Sequence, residues 1–450
     1  MAKFNKTDVK IMQINVFSIV LIVLSIISMI IPLHPKVSEA EKRELTKFPE
    51  FSIKAVANGD FFDGINDWFA DTFPFRDKYV ALNSWANNLF AATDTQIQGD
   101  VVQGDDIPTA PMSTDMTMLT PSATPTPAGS PTPTPIIDDV VDPDMAGVPV
   151  ETLNAILVVG DAGYEYYNFS QDVSNQYIMT LNRAAEVLQG KATVYDILIP
   201  TSMDIMLPSS VRDGISSSNQ KDAINYMYGS MSDSVVKVEL FDLLRAHRDE
   251  YIYYRTDHHW TSLGAWYAYQ AFADRRGRGS CDLNTDFTQI QFTGFLGSFY
   301  NDTGKSPALN NPDIVTAYQP VCTNHIDITQ KDNTYLSWNV VTDVNGWNPN
   351  YLYNTFIGGD NPYSVIKNPL KNDGSACIII KESFGNAFVP FLVPDYQYVY
   401  VIDYRYYATI SQEKLVDLVN RTGATDVIFA NNMSATRNKG LIDAITAFVN

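Results

Sequence analysis

Cysteine is scarce in this chain. Cys281, Cys322 and Cys377 are the only three in 450 residues, and none shows metal-ligand spacing. At most one internal disulfide can form, with Cys281 and Cys322 an open pairing, so a disulfide-stapled fold is excluded. A surplus of positive charge is also lacking. Lys and Arg number 31 against 51 Asp and Glu, a net charge of −20, which argues against binding nucleic acid through its phosphates. Histidine is limited to His34, His247, His258, His259 and His325. There is no HExxH, and Gly160-Asp161-Ala162-Gly163 does not complete a GxGxxG fingerprint, so it reads as a tight turn. No cofactor is implied.

What the chain does contain is enough for a large core and more than one domain: 45% hydrophobic and 12% aromatic residues. One uncharged apolar run, from Asn15 to Ile31, follows Lys3, Lys6 and Lys10. It reads as a membrane-spanning signal anchor with its N-terminus in the cytoplasm, making residues 1–36 tail and anchor and placing the rest outside the cell. A cleaved signal peptide is the second reading, with Ser38-Glu39-Ala40 as the small-residue site, although that site lies well beyond the apolar run. In residues 37–102, Trp68, Phe69, Phe73, Phe75, Tyr79, Leu82, Trp85 and Leu89 recur at roughly helical spacing around Pro74. That pattern predicts a broken amphipathic helix packed on the later domain. Residues 103–149 turn to Thr, Pro, Ser and Asp, with TPSATPTPAGSPTPTP at their centre, and read as a disordered linker or loop.

From 150 to 450 strand and helix signals alternate. Ile156–Val159 and Thr193–Ile199 read as strands, and Asn175–Leu188, Lys221–Tyr228 and Leu240–His247 as helices. Strands are again expected at Cys377–Ile380, Tyr398–Tyr404 and Asp426–Phe429, with a helix capped by Ser411 and closed by Gly423, and a last helix over Leu441–Val449. The alternation predicts an α/β domain with a mainly parallel sheet covered on both faces. Between Gly277 and Gly374 it breaks down into Asn, Gly, Pro and Tyr, which predicts an inserted β-rich lobe. The lobe's Trp338, Trp347, Tyr351 and Tyr353 either form its small core or stack on sugar rings.

Two stretches carry chemistry. In Tyr253-Tyr254-Arg255-Thr256-Asp257-His258-His259-Trp260, a short strand over Ile252–Arg255 is expected to run into a helix capped by Thr261 or Ser262. Asp257, two residues before His259, can accept from the imidazole, fix its tautomer and stabilise the imidazolium of a general base. Satisfied turn histidines and a metal site are the alternatives. In Ile378-Ile379-Ile380-Lys381-Glu382-Ser383-Phe384-Gly385-Asn386, a buried-strand run meets a turn and a helix. Ser383 on that elbow can be nucleophile and backbone oxyanion donor, or simply a helix cap. Arg405, Asn431 and Asn432 also fall at carboxyl ends of strands, where sheets of this kind gather ligand groups.

TDHHW, together with EAEKREL, FADTFPFRD, ESFGNAF and VIDYRYY, resembles the bacterial DHHW protein family over most of the chain outside the Pro/Thr-rich segment. That family is similar to the catalytic domains of the alginate O-acetylation proteins and, more distantly, to SGNH hydrolases. The resemblance implies a circularly permuted SGNH-like fold with Asp257, His259 and Ser383 as a triad and His258 at a variable position. Asn431 takes the place of the side-chain oxyanion donor, with Asn386 and Arg405 as further oxyanion or substrate contacts. It also implies a serine O-acetyltransferase that receives acetyl from an MBOAT-type membrane acyltransferase and passes it to a secreted or cell-wall glycan. An acetylesterase with the same triad and a non-catalytic glycan-binding scaffold are the alternatives.

Overall fold

The computed structural model describes residues 37–38, 43–44, 46–49, 51–52, 60–72, 95–99, 101–112 and 155–450. The expected anchor over Asn15 to Ile31, the second half of the aromatic segment and the TPSATPTPAGSPTPTP stretch lie outside the described residues. Among the described residues no helix is long and apolar enough to cross a membrane. The chain divides into two compact units, residues 1–92 with 304–307, and residues 93–303 with 308–450. In the first, the aromatic spacing yields a helix over Asp60–Asp71, and Phe48 packs edge-on against Phe61 and Trp68 at 6.3 and 4.9 Å between ring centroids.

The second unit opens with a small antiparallel sheet of β1 (Thr95–Gln98), β2 (Ile156–Val159) and β3 (Ala162–Glu165). Ile156–Val159 therefore does not start the parallel alternation. It turns back at once through Gly160, whose φ of +61° suits a residue without a side chain. Residues just before the Pro/Thr-rich stretch are not linker either. Asp105 N–H donates to the Phe169 carbonyl, the Met112 N–H donates to Ser230 Oγ, and Ile107 and Met112 pack on the core.

The main sheet has eight strands. In chain order they are β4 (Thr193–Ile199), β5 (Val235–Lys237), β8 (His325–Thr329), β9 (Tyr335–Asn339), β10 (Tyr363–Lys367), β11 (Ala376–Lys381), β12 (Tyr398–Asp403) and β13 (Asp426–Asn432), arranged across the sheet as β9-β8-β10-β12-β11-β13-β4-β5. The hairpin strands β6 (Phe287–Phe295) and β7 (Asp313–Pro320) pair with each other. Strands β12, β11, β13, β4 and β5 run parallel, as expected, whereas β10, β8 and β9 join antiparallel. The sheet is thus mixed. Much of the region read as a separate lobe is an extension of this sheet. β8 alternates exposed and buried residues and β9 exposed and half-buried ones, as antiparallel strands with one solvated face do, a pattern that in sequence reads as a separate β-rich lobe. Trp338 and Trp347 pack on the sheet's core and Tyr353 is buried within it.

Side-chain alternation divides the two cores. Cys377 and Ile379 face α3 (Ser262–Arg276) and α4 (Gly385–Leu392), with Trp260, Trp266 and Phe272. Ile378, Ile380, Val427 and Phe429 face α1 (Gln171–Val187), α2 (Gln220–Ser230), α6 (Leu415–Thr422) and α7 (Lys439–Val449). Ser411 does not cap α6. It ends α5 (Tyr404–Ile410), which follows β12 directly, and Lys414 occupies the cap. All three cysteines are free thiols.

Candidate active site

The Tyr253–Trp260 segment is a tight reversal rather than a strand. Tyr253 and Trp260 form an isolated antiparallel bridge, and Tyr254 N–H donates to the His259 carbonyl at 3.2 Å. Thr261 then caps α3, its Oγ1 accepting from Gly264 N–H at 3.4 Å. Asp313, at the start of β7, pins the base of the reversal. Its carboxylate accepts from Thr256 N–H at 2.8 Å, Thr256 Oγ1 at 2.7 Å, Arg255 N–H at 3.1 Å and Arg255 Nε at 3.0 Å. At the other stretch, β11 ends at Lys381 and α4 begins at Gly385, so Ser383 sits on the expected elbow.

These two segments, distant in sequence, meet. Asp257 Oδ1 is 2.6 Å from His259 Nδ1, and His259 Nε2 is 2.7 Å from Ser383 Oγ, giving one continuous hydrogen-bonded chain. The three residues are 5%, 6% and 7% exposed, shielded but reachable. Asp257 is fully used: Oδ1 also accepts from His259 N–H at 2.9 Å, and Oδ2 from Ser298 N–H at 2.8 Å. Burial pushes its carboxyl up, but the charges of His259 and His258 and these bonds outweigh burial and hold it well below the usual carboxylate range. Gly297 makes the approach feasible, because a Cβ there would collide with the Asp257 side chain.

Aromatic rings hold the imidazole. Tyr353 stacks on His259 at 4.0 Å and 13°, and its hydroxyl donates to the Ser383 carbonyl at 3.1 Å. Trp260 Nε1 donates to the Phe384 carbonyl at 2.9 Å, tying the two stretches together. His258 lies beside His259 at 3.9 Å, and its Nδ1 is 2.7 Å from Ser298 Oγ. Asp257, His258 and His259 could bring one atom each within 4.8 Å of one another. However, both ring nitrogens of His259 are already engaged by Asp257 and Ser383, so a metal would have to break that chain.

The other expected contacts are placed differently. Asn431 lies on β13 with the same side-chain parity as Val427 and Phe429, and its Nδ2 donates to Tyr177 Oη at 3.1 Å on the α1 side of the sheet. It does not face Ser383 as an oxyanion donor. Asn386 Nδ2 donates to Asp360 at 2.9 Å, and its carbonyl oxygen has no partner. That bond uses one of the two amide hydrogens, so Nδ2 keeps a second N–H that can donate. Arg405 is clamped on Asp403 at 2.9 and 2.7 Å and on Asp360 at 2.9 Å, with Lys381 on Asp403 at 2.9 Å. It holds the end of β12 in a buried charge network, with its guanidinium committed to two carboxylates. Sequence reasoning missed Asp313, Ser298 and Glu382. Glu382 was visible as the residue before the elbow, yet nothing local indicates what its carboxylate meets.

The α/β sheet with polar groups clustered at the carboxyl ends of its parallel strands defines a fold class that builds sites there. The chain belongs to the DHHW family: it matches the family described as DHHW protein over residues 41–117 and 132–402. Among solved structures it is similar to a DHHW family protein from Eubacterium siraeum, at 26% identity and a TM-score of 0.58, covering 68% of this chain and 98% of that one. It is also similar to Bacillus cereus PatB1 with a sulfonyl adduct, at 16% identity and a TM-score of 0.54, covering 66% and 98%. No curated protein sequence matches it.

Proposed function

We propose that this protein is a serine O-acetyltransferase of the cell surface, with Ser383 as nucleophile, His259 as general base and Asp257 as its orienter. The observation that carries the reading is the unbroken Asp257–His259–Ser383 hydrogen-bonded chain. His259 Nε2 takes the Ser383 proton as Oγ attacks an acetyl carbonyl, and returns it to the leaving group as the acetyl-serine forms. A glycan hydroxyl, deprotonated by the same nitrogen, then takes the acetyl group. Backbone donation to the oxyanion falls to the Ser383 N–H. Those of Phe384, Gly385 and Asn386 are bonded to Glu382 Oε2, the Glu382 carbonyl and the Ser383 carbonyl, whereas among the described residues nothing accepts from Ser383 N–H.

The DHHW resemblance supports acetyl as the group transferred, and the apolar run from Asn15 to Ile31 supports a site outside the membrane. There the donor has to be delivered across the bilayer, a role for an MBOAT-type acyltransferase, with a secreted or cell-wall glycan as acceptor. The test follows PatB1, which takes a sulfonyl adduct. A sulfonyl fluoride is expected to label Ser383, located by mass spectrometry, and nitrophenyl acetate is expected to acetylate the same residue. Labelling elsewhere or not at all sinks the nucleophile and leaves the scaffold reading. Acetyl-serine resolved only by water, with glycan oligomers present, replaces transferase with esterase.

A further inference from the structure

Ser383 Oγ has a second acceptor beside it. Glu382, 0% exposed, places Oε2 3.3 Å from Ser383 Oγ and 2.9 Å from Phe384 N–H, while its Oε1 accepts from Asn432 N–H at 2.9 Å. The two backbone bonds lock this carboxylate across the elbow, between α4 and the end of β13. It points at the nucleophile from its own chain, whereas His259 approaches from the Asp257 loop.

We propose that Glu382 is the alternate acceptor for the Ser383 hydroxyl proton, taking it whenever His259 carries a proton on Nε2. The inference deepens the proposed function and rests on its assignment of Ser383 and His259. A hydroxyl has one hydrogen and two lone pairs. With neutral His259, Oγ–H donates to Nε2. Once a proton from solvent, or from the acceptor alcohol, sits on Nε2, that N–H must donate to Oγ, so the serine hydrogen turns to Glu382 Oε2. No bond other than these hydrogen bonds is exchanged, and the proton count rises by the one that entered. After acyl transfer, His259 returns its proton to Oγ as the ester bond breaks, and the regenerated hydroxyl has a partner in either rotamer. The carboxylate thereby stabilises the imidazolium through one hydroxyl.

Other charged and titratable groups face the pair. Asp257, His258, Tyr353 and Asp360 act on His259 and the Tyr353 phenol on Glu382, and all of them stay in place in the comparison below. The experiment is an NMR titration of the His259 ring, assigned with His259→Gln, in wild type and Glu382→Gln, alongside the pH profile of nitrophenyl acetate turnover. Glu382→Gln is expected to move the His259 midpoint and the acid limb of the profile down by about one pH unit, since a nearby carboxylate that favoured the cation has been neutralised. In a Ser383→Ala background the same substitution is expected to move the midpoint by less than half as much, because the connecting hydroxyl is gone. An unchanged midpoint in Glu382→Gln overturns the proposal, and so does an equal shift with and without the hydroxyl. If Glu382→Gln does not fold, Glu382→Asp takes its place: it keeps the charge but shortens the reach, so the midpoint falls if the relay exists and stays if it does not. Wild-type protein that titrates as stated but never turns over an ester removes the acyl-transfer reading and leaves the proton exchange standing.

Discussion

The same sheet buries an aspartate on each side, and the two behave in opposite ways. Asp257, at the strand-end edge, receives three hydrogen bonds from groups on its own loop and on Ser298, beside two histidines. Asp196, on β4 facing α1, receives the Tyr177 hydroxyl on Oδ1 at 2.5 Å and has no partner on Oδ2. Burial pushes the Asp196 carboxyl up to about 7, with the Tyr177 bond opposing it too weakly to prevent this. Both are shielded from water, so burial alone does not decide whether a carboxylate stays charged. The number and charge of its donors decide. Asp257 is kept ionised and can orient an imidazole, whereas Asp196 is a neutral acid below about pH 7 and serves packing.

The largest expected difference between the two sides is catalytic. Ser383→Ala and His259→Ala are each expected to lower turnover of nitrophenyl acetate by roughly a thousandfold or more. His258→Ala keeps most of it, because that ring bonds Ser298 and not Ser383. Comparable mild losses at all three positions would dissolve the distinction between the edge and the rest of the core.

On the other side the expected effect is on stability. Asp196 has a folded pKa of about 7, above the value of about 3.9 in an unfolded chain, so its contribution is fully present below pH 4 and is lost as pH rises through 7. Asp196→Asn removes the ionisation and keeps an oxygen for Tyr177. It is expected to unfold at higher denaturant concentration than wild type at pH 8, by up to about 4 kcal/mol, and to show no such gain at pH 4. A gain independent of pH would mean that Asp196 is not the group titrating.

A smaller effect is expected from crowding the edge. Gly297→Ala sets a methyl group against Asp257, so the carboxylate or the Ser298 turn has to give way. A displacement approaching an ångström in an orienting group costs about a hundredfold in turnover, and the loss should fall on kcat, with the fold retained by circular dichroism. Wild-type kcat in this variant would show that the close approach is incidental.

How much of this was legible follows from the range of each interaction. The elbow at Ser383 is written in adjacent residues, an apolar β-branched run that meets a small turn; the turn at Asp257 is legible in its polar residues, but the strand expected over Ile252–Arg255 is only an isolated bridge. Asp313, Ser298 and Tyr353 act on TDHHW from 40 to 100 residues away, through contacts that no local spacing encodes. The antiparallel strands β8, β9 and β10 are obscured for another reason: they are short and lie among Asn, Gly, Pro and Tyr, so the sequence shows a β-rich lobe but not that these strands extend the main sheet. The error at Asn431 was one of parity. The strand was expected to stop at Phe429, which left Asn431 free to turn toward the site, but β13 runs on to Asn432.

That parity makes Asn431 the smallest and most decisive comparison. Its side chain belongs to the Asp196 cluster, donating to the same Tyr177 hydroxyl that donates to Asp196, while its own Oδ1 has no partner. Asn431→Ala therefore removes one hydrogen bond and a little volume from the packing side and nothing from Ser383. Turnover is expected to stay within about threefold of wild type, whereas loss of a true oxyanion donor costs about a hundred- to a thousandfold. Stability should fall by about 1 kcal/mol, the usual worth of one buried hydrogen bond. A hundredfold fall in kcat with stability intact would return Asn431 to the active edge, and with it the division of this sheet into one side that works and one that packs.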